Sequence, residues 1–121
     1  MRELRIVVAT ADAERLRGAL VLASAQAALG GAASIFLQLD AVALLRHPIA
    51  APGDAAHAAS GLPLLGTLID EAAALGVNIL ACQSGLTLAN MTADMLPPEV
   101  EIGGPVSFLQ KTSDEARLLF A

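Results

Sequence analysis

Short apolar runs of strand length alternate with helix-patterned segments along this chain, and glycine marks the joints. Residues 4–9, 32–39, 77–81 and 100–102 are such runs, each carrying Val or Ile, and residues 116–120 form a last one. Between the first two, Leu16, Ala19, Leu20, Ala23 and Ala27 keep helical spacing, with Thr10 or Asp12 as the cap and Glu14 in the first turn. Gly30-Gly31 stops that helix. Between the second and third runs, Leu64, Leu65, Leu68, Ile69, Ala72 and Leu75 form one apolar stripe, opened by Pro63 and stopped by Gly76. Strands alternating with helices demand crossover connections, and those build parallel sheets. The chain is therefore read as one α/β domain over residues 1–121: a Rossmann-like, three-layer arrangement of about five parallel strands with helices on both faces.

Composition narrows the function classes. The sequence is 55% hydrophobic, yet it holds no Trp, no Tyr and three Phe, so Ala, Leu, Val and Ile must build the core. Small side chains bury little area each, and between residues 18 and 45 the one charge is Asp40. At least one face of the first helix thus lacks solvating groups, which predicts a homo-oligomer. Net charge is −5, with no basic stripe to displace phosphate counterions, so no nucleic acid is expected. Strand one runs into 9-ATADA-13, without the glycines of a nucleotide-phosphate loop, and no cofactor is expected. A single cysteine excludes an internal disulfide and a Cys-only zinc site. His47 and His57 lack ligand-like spacing to it, so no metal is expected either.

The basic start, residues 1–5, precedes four apolar residues and then Asp12 and Glu14, unlike a signal peptide. Residues 18–37 have spanning length but are Ala-rich, hold Ser24 and Gln26, and are cut by Gly30-Gly31, so no membrane span is expected. A reducing cytoplasm is the expected compartment.

The chemistry concentrates in residues 75–85, LGVNILACQSG. Cys82, the lone cysteine, closes the third run. Gln83, Ser84 and Gly85 then turn into a short helix, with Ser84 a natural N-cap. In open α/β sheets ligands gather outside the carboxyl ends of strands, and the N–H groups of a following helix favour an anion there. The alternative is a buried cysteine acting as a small hydrophobe. Ser84 lacks the flanking glycines of a nucleophile elbow. Residues 46–60, rich in Ala, Pro and Gly, are predicted to be a mobile loop at the carboxyl end of the sheet, near Cys82, with His47 and His57 solvated.

The strand ending in Cys82, the Gln83-Ser84-Gly85 turn, Asp94 and the 99-EVEIGG-104 run together resemble the DsrE/DsrF-like proteins, over nearly the whole chain. The loop after strand two departs from that pattern in being Ala/Pro/Gly-rich rather than aromatic. The resemblance implies a small α/β domain that assembles as trimers or hexamers. It implies a sulfur carrier or sulfurtransferase in which Cys82 is the catalytic residue and carries a persulfide, with donor and acceptor proteins as partners. Backbone N–H groups of Gln83, Ser84 and Gly85 would bind the anionic sulfur, and Thr10 and Gly104, at other strand ends, would line the pocket. The competing reading is an oligomeric module binding a small anion or nucleotide, with Cys82 structural.

Overall fold

A computed structural model describes residues 1–121. Five strands, β1 (Leu4–Val8), β2 (Ala33–Leu37), β3 (Asn78–Cys82), β4 (Glu101–Gly103) and β5 (Arg117–Phe120), form one sheet in the order β4-β3-β2-β1-β5. Every pairing is parallel, as the alternation required. The helices are α1 (Ala13–Ala28), α2 (Asp54–Ala59), α3 (Leu65–Ala74), α4 (Gln83–Leu88) and α5 (Pro105–Gln110). A 3₁₀ helix, Leu39–Leu45, follows β2, and a second short one spans Ala93–Met95.

The crossovers from β1 to β2, β2 to β3 and β3 to β4 all step the same way across the sheet. Right-handed connections therefore put α1, α3 and α4 on one face. The last crossover steps back across all the strands, so α5 lies on the other. Side-chain alternation agrees. Leu4, Ile6 and Val8, with their register partners Ala33, Ile35 and Leu37, face α1. Arg5, Phe36 and Leu80 face α5, where Phe108 stacks on Phe36 at 4.9 Å between ring centroids. The core is aliphatic: Leu16, Leu20, Ile35, Leu37, Leu65 and Ile69 are buried almost completely.

Arg5 is the exception on a strand buried on both faces. It is 4% exposed and its guanidinium lies 4.1 Å from the Phe108 ring centroid. It donates to the Phe108 carbonyl at 2.9 Å and to Ser34 Oγ and Glu3 at 3.3 Å, while its Nε has no partner. The planar cation both stacks on the ring and ties down the end of α5.

Element ends shifted where local chemistry outweighed pattern. Asp12 is the α1 cap, its carboxylate accepting from the Arg15 N–H at 3.0 Å. Helix α4 starts at Gln83, directly off the strand, so Cys82 rather than Ser84 occupies the N-cap position. It has ended by Asn90, which sits at φ 57°, a conformation that cannot continue a helix. Helix α3 begins at Leu65, two residues after Pro63.

The stretch from residue 46 to 60 holds a helix, α2, and is fastened by side chains. Asp54 accepts from the N–H groups of Leu65 at 3.0 Å and Ala51 at 3.1 Å and from Arg17 at 2.9 Å, so one carboxylate joins α2, α3 and α1. Arg17, itself buried, also donates to the Pro52 carbonyl. His57 is not free in solvent; its Nε2 lies 2.8 Å from Glu14. Sequence pattern shows only Ala, Pro and Gly here, and the ties come from partners distant in sequence.

The Leu65 and Ala51 N–H groups hold the Asp54 carboxyl below its ordinary range, burial opposes them, and Arg17 adds to the lowering. A carboxyl depressed in the folded state stabilises fully above its unfolded value of about 3.9, and that stabilisation is lost as pH falls through the folded value. Asp54→Asn keeps the shape but removes the charge. Its unfolding midpoint is expected to fall at neutral pH and to lose part of the acid-side slope below about pH 4 that wild type shows. Residues 46–60 should also be nicked sooner by protease. A variant with the wild-type pH profile would show that Asp54 does not hold this segment.

Candidate functional site at the carboxyl end of β3

Cys82 is the last residue of β3, paired with Gly103 of β4 and one position beyond the Ala81–Leu37 pair. Alternation puts it on the α5 face with Leu80 and Phe36. The thiol is free and 3% exposed.

Four further residues named from sequence cluster around this strand end, in different roles. Gln83 and Ser84 are exposed on the first turn of α4. Gly85 is buried, and a Cβ there would come within 3 Å of the Leu39 carbonyl oxygen and of Val42 Cγ2. Its missing side chain lets α4 press against the 3₁₀ helix Leu39–Leu45, so it serves packing. Gly104 follows β4 and caps α5. Its N–H donates to Ser107 Oγ at 3.3 Å, and that hydroxyl donates back to the Gly104 carbonyl at 3.0 Å. That N–H is therefore already engaged. Thr10 is exposed beyond β1, two strands away from β3, at the same end of the sheet.

Gln38, which sequence reading passed over, is the residue at the end of β2 opposite Cys82. It is half-buried, and its N–H donates to the Val8 carbonyl at 3.0 Å. Its side chain lines a recess of about 130 Å³ whose walls include Val7, Phe36, Pro105 and Phe120. The signal was positional: once β2 is placed, the residue after it reaches the sheet end. A cleft of about 480 Å³ lies elsewhere, between His47, Thr67, Asp70 and Glu99, and includes neither Cys82 nor any of the residues proposed to line its pocket. His47 is exposed at that cleft, with its backbone N–H on the Met95 carbonyl at 2.7 Å.

The arrangement offers one nucleophile, Cys82, at a strand end between a glycine-rich neighbour strand and the start of a helix. No helix in the chain is long and apolar enough to cross a membrane.

The fold is shared with solved proteins. The crystal structure of the YchN protein from E. coli superposes with a TM-score of 0.76 at 21% identity, with all of both chains covered. MTH1491 from Methanobacterium thermoautotrophicum, described as a protein of unknown function, does so with a TM-score of 0.70 at 16% identity, again over all of both chains. Among curated proteins none matches the sequence. The DsrE/DsrF-like family model matches residues 4–120, the whole sheet and every crossover, and the chain belongs to that family.

Proposed function

We propose that this protein is a sulfur carrier: it holds sulfane sulfur as a persulfide on Cys82 and passes it to a partner thiol, in a reducing compartment such as the cytoplasm. The observation that carries the reading is the place of Cys82, the lone cysteine, at the carboxyl end of β3 in a chain of the DsrE/DsrF-like family.

The chemistry closes with one thiol. The Cys82 thiolate attacks the terminal sulfur of a donor persulfide, R–S–SH; the donor's S–S bond breaks and R–S⁻ leaves. The new bond gives Cys82–S–SH. A thiolate on the acceptor protein then attacks that outer sulfur, and Cys82 leaves as thiolate. Each step is a displacement at sulfur with no net oxidation, and no second cysteine is needed in this chain. Exposed Gln83 and Ser84, on the first turn of α4, are the groups placed to meet donor and acceptor.

Burial of Cys82 favours a second reading: a module binding a small anion or nucleotide, with the thiol part of the core. The two readings diverge in how the thiol is reached. A carrier must expose Cys82 by local opening, which costs less than global unfolding. Incubation of the intact protein with a small persulfide donor, followed by intact-mass measurement, is expected to add one sulfur atom per chain under native conditions. Native-state alkylation should be faster than the global unfolding rate measured on the same sample. No added sulfur, with alkylation that tracks global unfolding, would leave the binding module standing and end the carrier reading.

A further inference from the structure

We propose, resting on the carrier reading above, that the recess beside Gln38 seats the apolar group of the compound that loads Cys82, so that the sulfur donor is a small, uncharged persulfide. Besides Val7, Phe36, Pro105 and Phe120, the recess is walled by Phe108 and Leu118, and no ionisable side chain lines it. Val7 pairs with Phe120 and Arg5 with Leu118, so both of these β5 side chains turn toward α5. With 6 residues, α5 covers them incompletely, leaving Leu118 40% and Phe120 70% exposed, although parallel strands are ordinarily covered on both faces. The recess volume is about 130 Å³. A dry apolar cavity of about 150 Å³ takes up benzene, so one ring or one branched alkyl group fills this one.

Gln38 supplies the one polar side chain of the wall. It makes no capping bond to the 3₁₀ helix that it precedes, and its amide is free to meet a ligand. A lone amide in an apolar pocket is the kind of group that fixes a ligand's orientation.

The spacing of the strands connects this recess to the thiol. Leu37 pairs with Ala81, so the residues that follow, Gln38 and Cys82, stand side by side on β2 and β3, both on the α5 face. Neighbouring strands lie about 4.8 Å apart. In a displacement at sulfur the attacking, central and leaving sulfurs lie in line, and two S–S lengths come to about 4 Å. A donor laid across the strands, with its outer sulfur at Cys82, therefore has its inner sulfur over Gln38. The group on that inner sulfur then lies over β1 and β5, the next strands in the sheet, where the recess is. When the donor's S–S bond breaks, the Gln38 amide N–H donates to the departing R–S⁻ at the position where its charge develops. Burial selects the same class of donor. Cys82 is 3% exposed, and a charged group brought beside it would lose its water and find no partner.

Binding is tested first without sulfur. Benzamide carries a ring for the recess and a carbonyl for Gln38, and it does not react with a thiol. Added to the wild-type protein, it is expected to shift, saturably, the NMR signals of the Gln38 side-chain amide and of the Val7 and Phe120 backbone N–H groups, whereas succinate shifts none of them. Loading is then followed by intact mass with benzyl persulfide and with glutathione persulfide, each rate divided by that for free cysteine. The benzyl donor is expected to be faster by about tenfold or more. Leu118→Trp fills the recess and should raise the concentration of benzyl donor that gives the half-maximal rate. Gln38→Leu should instead lower the rate at saturation, by about tenfold. Absent benzamide shifts, equal normalised rates for the two donors, or unchanged kinetics in both variants would each overturn the proposal and leave the carrier reading standing. Loading by neither donor would end the carrier reading, and the assignment of its donor with it.

Discussion

Replacing Cys82 by serine is expected to abolish persulfide loading while the protein still folds. The hydroxyl is close in size to the thiol, so the contacts at the end of β3 and the Cys82–Gly103 register are kept. A serine does not displace sulfur from a persulfide, and this chain has no other thiol to do so. Stability does fall, because the site is 3% exposed and Cys82 makes no side-chain capping bond to α4. A buried hydroxyl left without a partner costs about 1–3 kcal/mol, against a typical domain stability of about 5–15 kcal/mol. Cys82→Ala avoids that hydroxyl and separates the two effects: it should load no sulfur either, with a smaller loss of stability. Sulfur retained on either variant, seen by intact mass, would place the carrier function away from Cys82.

The same site shows how far a sequence can be read. The strand ending in Cys82 was legible because Val77, Ile79 and Leu80 form an apolar run after the stop at Gly76. The parallel sheet was legible because each run is followed by a helix pattern. What stayed hidden were contacts set by distant partners. Gly85 looks like a turn glycine that could bind an anion, but its bare Cα makes room for the Leu39 carbonyl, on an element 46 residues earlier. Gly104 looks open until Ser107 is seen closing over it. Asp54 reads as a stray acid in a loop, and only the folded chain brings Leu65 and Arg17 to it. Gln38 carries no motif at all and gains meaning from the strand it ends. Arg5 reads as an interruption of an apolar strand, because a sequence does not reveal that Phe108 will cover it.

That cover is the basis of the second large effect, at Phe108. α5 is the helix that the last crossover lays on its face of the sheet, and it is short, 6 residues. Val106 and Leu109, at 70% and 58% exposed, contribute little burial, so the anchor is Phe108, 2% exposed. Its ring stacks on Phe36 and lies under the Arg5 guanidinium, and its carbonyl accepts from Arg5. Phe108→Ala removes a fully buried ring, a change that costs about 3–5 kcal/mol. The lost stack on Phe36 lies within that range, since an aromatic pair contributes about 0.5–1.5 kcal/mol beyond its buried area. Arg5 adds to the loss, because its Nε already lacks a partner and the charge now faces an empty volume in place of a ring. Urea unfolding should therefore show a loss of at least about 3 kcal/mol, while Val106→Ala on the same helix stays within about 0.5 kcal/mol. Phe108→Leu should recover part of the loss by refilling the space, but not the contact with the cation. If Phe108→Ala and Val106→Ala unfold at the same urea concentration, α5 does not hold this face of the sheet, and Arg5 is kept buried by something other than the ring above it.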